Sequence, residues 1–250
     1  MLIAVANQKG GVAKTTTTIC LGGLLTPRGT CLLVDLDPQG DLTLGLGFNI
    51  PDKKPSCYEV ITEKASAASA IVSTKSGLNL LPAEITLAKG ETEILTQVGN
   101  FYILKEKLES ITVNYSYILI DCPPSLGLLT VNALAAADTV LIPVQCQFFA
   151  LKGLASLLDT IATVQKRLNP QLKILGVLPT MAENTIMTQD VLASLRKRQP
   201  SLTIFEPVPK SVKFSEANLA GEPIHSYSKE DKLIKPYQKL ADFITNLARN

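Results

Sequence analysis

The chain has no tryptophan, a single histidine, three methionines and only 5% aromatic residues in 250 positions. Scarce aromatics leave little for stacking on nucleic-acid bases, so any nucleic-acid contact would have to go through phosphates. His225 is the lone histidine, and with no histidine companion it points to a surface or hydrogen-bonded role, not to a metal site. Five cysteines, Cys20, Cys31, Cys57, Cys122 and Cys146, are odd in number and scattered, mostly inside apolar segments. No C-x-x-C spacing occurs, which removes the common zinc and dithiol patterns and suits reduced core thiols. Long apolar runs are also missing. The longest, Leu126 to Ala137, is interrupted by Thr130 and Asn132 and is too short to cross a bilayer. Nothing at the N-terminus reads as a basic region followed by a signal core. The expected location is cytoplasmic.

What the chain does contain is 46% hydrophobic residues with a formal net charge of +2, enough to bury one substantial core. The charge is uneven. Residues 1–150 hold 10 Lys+Arg against 13 Asp+Glu, and residues 151–250 hold 14 against 9. A basic C-terminal part favours a polyanionic partner.

Apolar segments alternate with helical patterns. Strands are expected at Leu2 to Ala6, Thr30 to Leu36, Leu78 to Pro82, Tyr117 to Asp121, Thr139 to Val144 and Leu172 to Leu178, with a last one starting at Thr203 to Phe205. Helices are expected at Lys14 to Thr26, Tyr58 to Val72 (a short pair), Glu84 to Ser110 with a break near Gly90, Leu151 to Leu168, Thr188 to Gln199 and Lys229 to Ala248. Continuous apolar strands separated by helices specify an α/β fold: a doubly wound, mostly parallel sheet with helices on both faces. With no repeat, low-complexity run or linker, residues 1–250 read as a single domain.

The organising stretch is Leu2 to Thr18, LIAVANQKGGVAKTTTT. A buried strand feeds a turn with adjacent Gly10 and Gly11, and a helix opens at Lys14. Glycines let the backbone approach an anion and turn its N–H groups inward, and the helix N-terminus adds partial positive charge. Lys14 would reach the β- and γ-phosphates, and the Thr15 hydroxyl would bind Mg²⁺. The strict pattern G-x-x-x-x-G-K-[ST] fails, because Gln8 and Ala13 occupy the glycine positions. The pattern K-G-G-x-x-K-[ST], with Lys9 as an extra lysine, is met. Asp35 and Asp37 in DLDPQG and Asp121 in YILID lie at the carboxyl ends of strands, where doubly wound sheets bind ligands.

With its K-G-G-x-x-K-[ST] loop, its D-x-D-P-Q segment and the region Pro207 to Ala217 in that order, nearly the whole chain resembles the ParA/MinD family of deviant Walker A ATPases. The resemblance implies ATP and Mg²⁺ as ligands, with Lys9, Gly10, Gly11, Val12, Ala13, Lys14, Thr15, Thr16, Gln39 and Pro209 contacting the nucleotide. Thr15 and Asp121 would hold the metal, and Asp37 would stand near the attacking water. Lys9 would cross to the nucleotide of a partner subunit in an ATP-dependent sandwich homodimer. Relatives often carry glycine at the Ala13 position, so the loop is expected to keep Ala13 out of positive φ; Asp41 replaces their usual asparagine. Slow intrinsic hydrolysis, raised by a cargo adaptor (ParB-like or McdB-like), is the implied cycle. Arg196, Lys197, Arg198, Lys210, Lys213, Lys235 and Lys239 are the candidates for a basic surface binding duplex DNA without sequence preference, which would make the protein nucleoid-associated. The arginine that relatives carry after the strand ending GVL is absent here.

Within this family the cargo of partition is a plasmid or chromosomal centromere complex; an McdA-like ATPase would position carboxysomes instead. A MinD-like membrane switch would use the amphipathic helix Leu233 to Leu247, which reads better as a packed terminal helix, so no stable membrane binding is expected. An electron donor of the nitrogenase iron-protein type shares the Lys9–Lys14 box but needs cluster cysteines at a dimer axis.

Overall fold

The computed structural model describes residues 1–147 and 150–249. In chain order the elements are β1 (Leu2–Val5), α1 (Lys14–Leu25), β2 (Cys31–Asp35), α2 (Asp41–Gly45), α3 (Cys57–Ile61), α4 (Ala67–Ala70), β3 (Val72–Ser73), β4 (Asn79–Leu81), α5 (Leu87–Ile94) and α6 (Ile103–Thr112). Then follow β5 (Tyr117–Asp121), α7 (Leu128–Ala136), β6 (Thr139–Gln145), α8 (Ala150–Arg167), β7 (Lys173–Thr180), α9 (Ile186–Arg198), α10 (Lys213–Ala220), α11 (Ile224–Tyr227) and α12 (Asp231–Arg249).

The sheet has seven strands in the order β3-β4-β2-β5-β1-β6-β7. Every pairing is parallel except the two-residue contact of β3 with β4. Strands β1, β2 and β5 are so apolar because both of their faces are covered. Ile3, Leu33, Leu119 and Leu141 point to one face, against Ile19 and Leu25 of α1 and Leu233, Tyr237, Leu240 and Ile244 of α12. Ala4, Leu32, Val34, Ile118, Ile120 and Ile142 point to the other, against α3, α6, α7, α8 and α9. The amphipathic α12 thus spends its apolar face on the core, and its inner residues are fully buried.

Two expectations about elements are corrected. Gly90 does not break a helix; it lies inside α5, where an added Cβ would come within 2.9 Å of Tyr58 and 3.1 Å of Ile61. Its smallness serves close packing, and the real interruption falls between Ile94 and Ile103. Thr203 to Phe205 does not begin a strand of regular length. It makes an isolated parallel bridge, Val177 to Ile204, laid directly over Gly176, where a Cβ would meet the Thr203 carbonyl at 2.6 Å. Besides these, α2 and α7 are helices that the apolar pattern alone does not announce, the first because it is five residues long and the second because it is apolar all round.

β1 sits where the chain reverses its direction across the sheet: β2, β4 and β5 lie to one side, β6 and β7 to the other. The crevice outside the carboxyl ends of the strands at such a switch point is where an α/β sheet binds ligands. The loop Ala6 to Ala13 opens there.

Candidate functional site

Between β1 and α1 the backbone wraps into an anion cradle. Asn7 is the pivot: its Nδ2 donates to the Pro143 carbonyl at 2.6 Å, and its Oδ1 accepts the Lys9 N–H at 3.0 Å. Gly11 lies at φ 68°, in the left-handed region, with nothing near its missing Cβ. Thr180, at the end of β7, donates its hydroxyl to the Val12 carbonyl at 3.1 Å. This pins the loop from the opposite side.

Ala13 corrects an expectation. It lies at φ 65°, ψ 35°, left-handed, immediately before α1. Glycine would adopt this geometry freely, and here alanine holds it while its carbonyl accepts the Thr17 N–H at 3.0 Å, the first bond of the helix. A single left-handed alanine costs about 1 kcal/mol. Replacing it, Ala13→Gly, is expected to stabilise the ligand-free protein by about 1 kcal/mol, raising Tm by roughly 2–4 °C in a chain of this size. Thermal unfolding measures this; an unchanged or lower Tm would show that the loop carries no strain at Ala13.

The first turn of α1 brings the cation and the hydroxyls together. Lys14 is only 7% exposed, and its Nζ rests 3.4 Å from the Lys9 carbonyl, inside the curve of the loop. Thr15 donates to Asp121 Oδ2 at 2.7 Å, while the Thr18 hydroxyl, which donates to the Lys14 carbonyl at 3.1 Å, lies 3.4 Å from Asp121 Oδ1. Asp121 is fully buried. Burial pushes its carboxyl up to about 7, Asp37 and Asp41 add to the rise, and the Thr15 hydroxyl and Lys14 oppose it. Asp35 is also raised, first by burial and then by the neighbouring Asp121. Asp37 is raised by burial and Asp41, and held down by the Gln39 N–H and Lys14. Crowded carboxylates with raised pKa values stand ready for a cation.

The cleft above this floor measures about 640 Å³ and is bordered by Gly10, Gly11, Ala13, Lys14, Thr15, Thr16, Asp37, Gln39, Asp41 and Pro124, with Met181, Ser215, Asn218 and Leu219 across from them. A second hollow of about 270 Å³ adjoins it, sharing Ala13, Thr16, Met181 and Ser215, and is closed by Val208, Pro209, Phe214 and Tyr237. A cleft holding Lys14, Asp37 and Asp41 thus adjoins an apolar slot at Val208, Pro209, Phe214 and Tyr237, room enough in shape for a polyphosphate tail beside a ring system. Val12 alone among the expected loop residues turns its side chain fully inward; its part in the cradle is backbone.

The donor set fits Mg²⁺. Among the described residues no cluster of three or more His, Cys, Asp or Glu is arranged to hold a metal, and a P-loop Mg²⁺ takes few protein ligands, keeping waters and phosphate oxygens for the rest. The Thr15 hydroxyl and Asp121, 2.7 Å apart, would supply that pair.

Lys9 is exposed on the outside of the loop. Its Nζ donates to Gln147 Oε1 at 2.9 Å and to Gln145 Oε1 at 3.4 Å, away from its own cleft. Met181, Asn218 and Tyr237 border the two hollows from far along the chain, and the glutamines that receive Lys9 are similarly distant from the loop. Asn218 donates to Thr16 Oγ1 at 3.4 Å, and Tyr237 pairs with Thr17 at 3.3 Å. No local motif reveals them.

The seven candidate DNA-contacting residues lie at the end of α9, in the loop before α10, at the start of α10 and on α12. Lys210 borders the apolar slot and pairs with Glu183 at 2.7 Å. Lys213 pairs with Glu230 at 3.8 Å, and Lys239 pairs with Glu206. Arg196, Lys197 and Arg198 end α9, which starts at the carboxyl edge of the sheet and descends 13 residues, about 20 Å, toward the opposite edge. They are exposed there, as is Lys235 on α12; none of these four has an acidic partner among the described residues. All five cysteines are buried, so none is presented for an iron–sulfur cluster. No helix among the described residues is long and apolar enough to cross a membrane.

Comparison with known proteins agrees with this geometry. A family profile described as an AAA domain matches residues 1–174. The sporulation initiation inhibitor protein Soj of Bacillus subtilis is 43% identical over 243 residues, 96% of each chain. The chromosome partitioning protein ParA of Caulobacter vibrioides is 40% identical over 254 residues, all of this chain and 95% of that one. Among solved structures, cobyrinic acid a,c-diamide synthase of Mycobacterium smegmatis with bound ATP analog and magnesium is 41% identical, with a TM-score of 0.84 over 96% of this chain and 92% of that one. An ATP complex of McdA from Cyanothece is 25% identical, with a TM-score of 0.91 over 97% of this chain and 95% of that one. A loop that keeps two lysines and gives up two glycines, seated at the switch point of this sheet and matched end to end by Soj and ParA, makes the chain a member of the ParA/MinD family of P-loop ATPases.

Proposed function

We propose that this chain is a ParA-type partition ATPase that hydrolyses ATP to ADP and phosphate and uses the ATP state as a signal. Two ATP-bound copies close face to face, the closed dimer holds duplex DNA without sequence preference, and an adaptor carried by a plasmid or chromosomal centromere complex accelerates hydrolysis and release. The protein then works in the cytoplasm, on the nucleoid. One observation carries this reading: Lys14 faces into the cleft while Lys9, from the same loop, faces out of it. One lysine serves the chain's own phosphates and the other is free to serve a neighbour's. Crossing over, Lys9 gives up two exposed hydrogen bonds, to Gln147 and Gln145, in exchange for charge-assisted bonds to a second nucleotide's phosphates.

Each residue has a distinct task in turnover. The loop N–H groups and the Lys14 ammonium bind and orient the β- and γ-phosphates. Thr15 and Asp121 would hold Mg²⁺, whose charge would offset that of the phosphate oxygens. Asp37 orients the water that attacks phosphorus and accepts its hydrogen bond. Pro209 and Phe214 exclude water from the base. Among the described residues bordering the cleft there is no arginine and the only glutamine is Gln39, which agrees with slow unaided hydrolysis.

The identity to Soj and ParA over nearly full length favours chromosome or plasmid cargo over the McdA-like reading, whose structural likeness comes with 25% identity. The burial of the apolar face of α12 speaks against a MinD-like membrane tail. The test is retention on non-specific duplex DNA, with sizing, in ATP, ADP or no nucleotide at two salt concentrations. Dimer formation and DNA retention in ATP alone, weakening steeply with salt, are the expected result. Equal DNA affinity in every nucleotide state would defeat the switch.

A further inference from the structure

Asp35 contacts neither cleft. It is 0% exposed, at the end of β2, and both of its carboxylate oxygens are occupied. Oδ1 accepts the Asp37 N–H at 3.2 Å. Oδ2 accepts two bonds from Thr43 on α2: the backbone N–H at 2.9 Å and the hydroxyl at 2.6 Å. The same hydroxyl oxygen accepts the Ala83 N–H at 3.0 Å. Because Ala83 can only donate, the Thr43 proton must be given to Asp35. The hydroxyl is therefore used in both directions, and no apolar side chain can replace it.

The turn between them is fixed at every step. Asp37 Oδ1 accepts the Gln39 N–H at 3.0 Å, and the Asp37 carbonyl accepts the Gly40 N–H at 2.9 Å. Gly40 lies at φ 67°, and a Cβ there would come within 2.8 Å of the Ala83 carbonyl. Residues 35–43 are thus folded against the end of β4, two residues beyond Leu81, the partner of Val34 in the β2–β4 register. The bonds to Thr43 and Ala83 are buried, where a hydrogen bond is strong and its loss leaves an orphaned N–H.

We infer that Asp35 and Thr43 are positioning residues for hydrolysis: they clamp the Asp37 turn to the end of β4 and so set the place of the Asp37 carboxylate relative to the phosphate loop. This rests on Asp37 being the group that orients the attacking water. Displacement of a catalytic group by about 1 Å costs on the order of 100-fold in rate, while nucleotide affinity, which resides in the loop, Lys14 and the base slot, is untouched. Thr43 therefore shapes kcat and not binding.

The experiment compares Thr43→Val, Thr43→Ser and Asp37→Ala by single-turnover phosphate release, affinity for a non-hydrolysable ATP analogue, thermal unfolding, and amide hydrogen exchange over residues 35–43. Thr43→Val is expected to lower the hydrolysis rate on the order of 10- to 100-fold, leave analogue affinity unchanged, and speed exchange at the Asp37 and Thr43 amides. Thr43→Ser is expected to restore all three. Should Thr43→Val not fold, Thr43→Ala, which leaves room for a bridging water, is expected to show a smaller loss of rate with the same retention of affinity. Full turnover in the folded valine or alanine variant, with Asp37→Ala inactive, overturns this inference and leaves the role of Asp37 standing. A rate and an affinity that fall together also overturn it, since that marks general damage to the cleft. Full turnover in Asp37→Ala is a different result, and overturns the role of Asp37 itself.

Discussion

Lys14→Ala is expected to lose ATP binding by on the order of 100-fold or more, and with it dimer formation and DNA retention. A charge-assisted hydrogen bond to phosphate is worth about 1.5–3 kcal/mol, and every 1.4 kcal/mol is about tenfold in affinity. The context adds to that. Lys14 is the only cationic side chain among the described residues bordering the 640 Å³ phosphate basin, where Asp37 and Asp41 also stand and Asp121 lies beneath. Without it a polyphosphate would face carboxylates with only backbone N–H groups in compensation. Lys14 also holds down the pKa of Asp121, which burial has already pushed up to about 7. Its loss moves Asp121 further up, so that at neutral pH more of it is protonated and less is available to a cation. The variant thus weakens both the anion and the metal half of the site. Titration with a fluorescent ATP analogue and sizing measure the two losses. Lys14→Ala that binds ATP as the parent does would mean the phosphates lie elsewhere.

How much of this was legible in the sequence follows from how local each feature is. Strands β1, β2, β5 and β6 announce themselves because a strand covered on both faces has to be apolar at every position. The cradle is legible because Gly10, Gly11, Lys14 and Thr15 act within six residues of one another. Legibility ends where a residue's partner is distant or its packing unseen. Gly90 reads as a helix break and is in fact a contact point for Tyr58 and Ile61. Ala13 reads as a residue that must avoid positive φ, yet it lies at φ 65° immediately before α1. Tyr237 closes the base slot from α12, and Gln147 receives Lys9 from beyond β6; neither belongs to any motif. The basic residues are the sharpest case. Their number is a property of composition, but their placement depends on topology, which puts Arg196, Lys197 and Arg198 at the end of α9 and Lys210 beside the smaller hollow in a pair with Glu183.

Asp37→Ala is expected to separate binding from turnover: ATP affinity and dimerisation persist, and hydrolysis falls on the order of 100-fold or more, the scale of a lost general base. The backbone of the turn does not need this side chain for its shape, since the Gly40 N–H bonds to the Asp37 carbonyl and the Asp37 N–H to Asp35. Removing the carboxylate also removes a negative charge from a basin that receives polyphosphate, so affinity should hold or rise. The ATP dimer would then accumulate and stay on DNA. Asp37→Asn refines the assignment. It keeps an oxygen to accept the Gln39 N–H, now made to Asp37 Oδ1 at 3.0 Å, and so retains the geometry while losing the ability to take a proton. If Asp37 only orients water, the asparagine variant keeps a large part of the rate; if it accepts the proton, asparagine is as slow as alanine. Phosphate release in a single turnover, measured beside analogue affinity, reads both. Full activity in the alanine variant would take Asp37 out of the reaction and leave the water to be held by Gln39 or by the partner subunit.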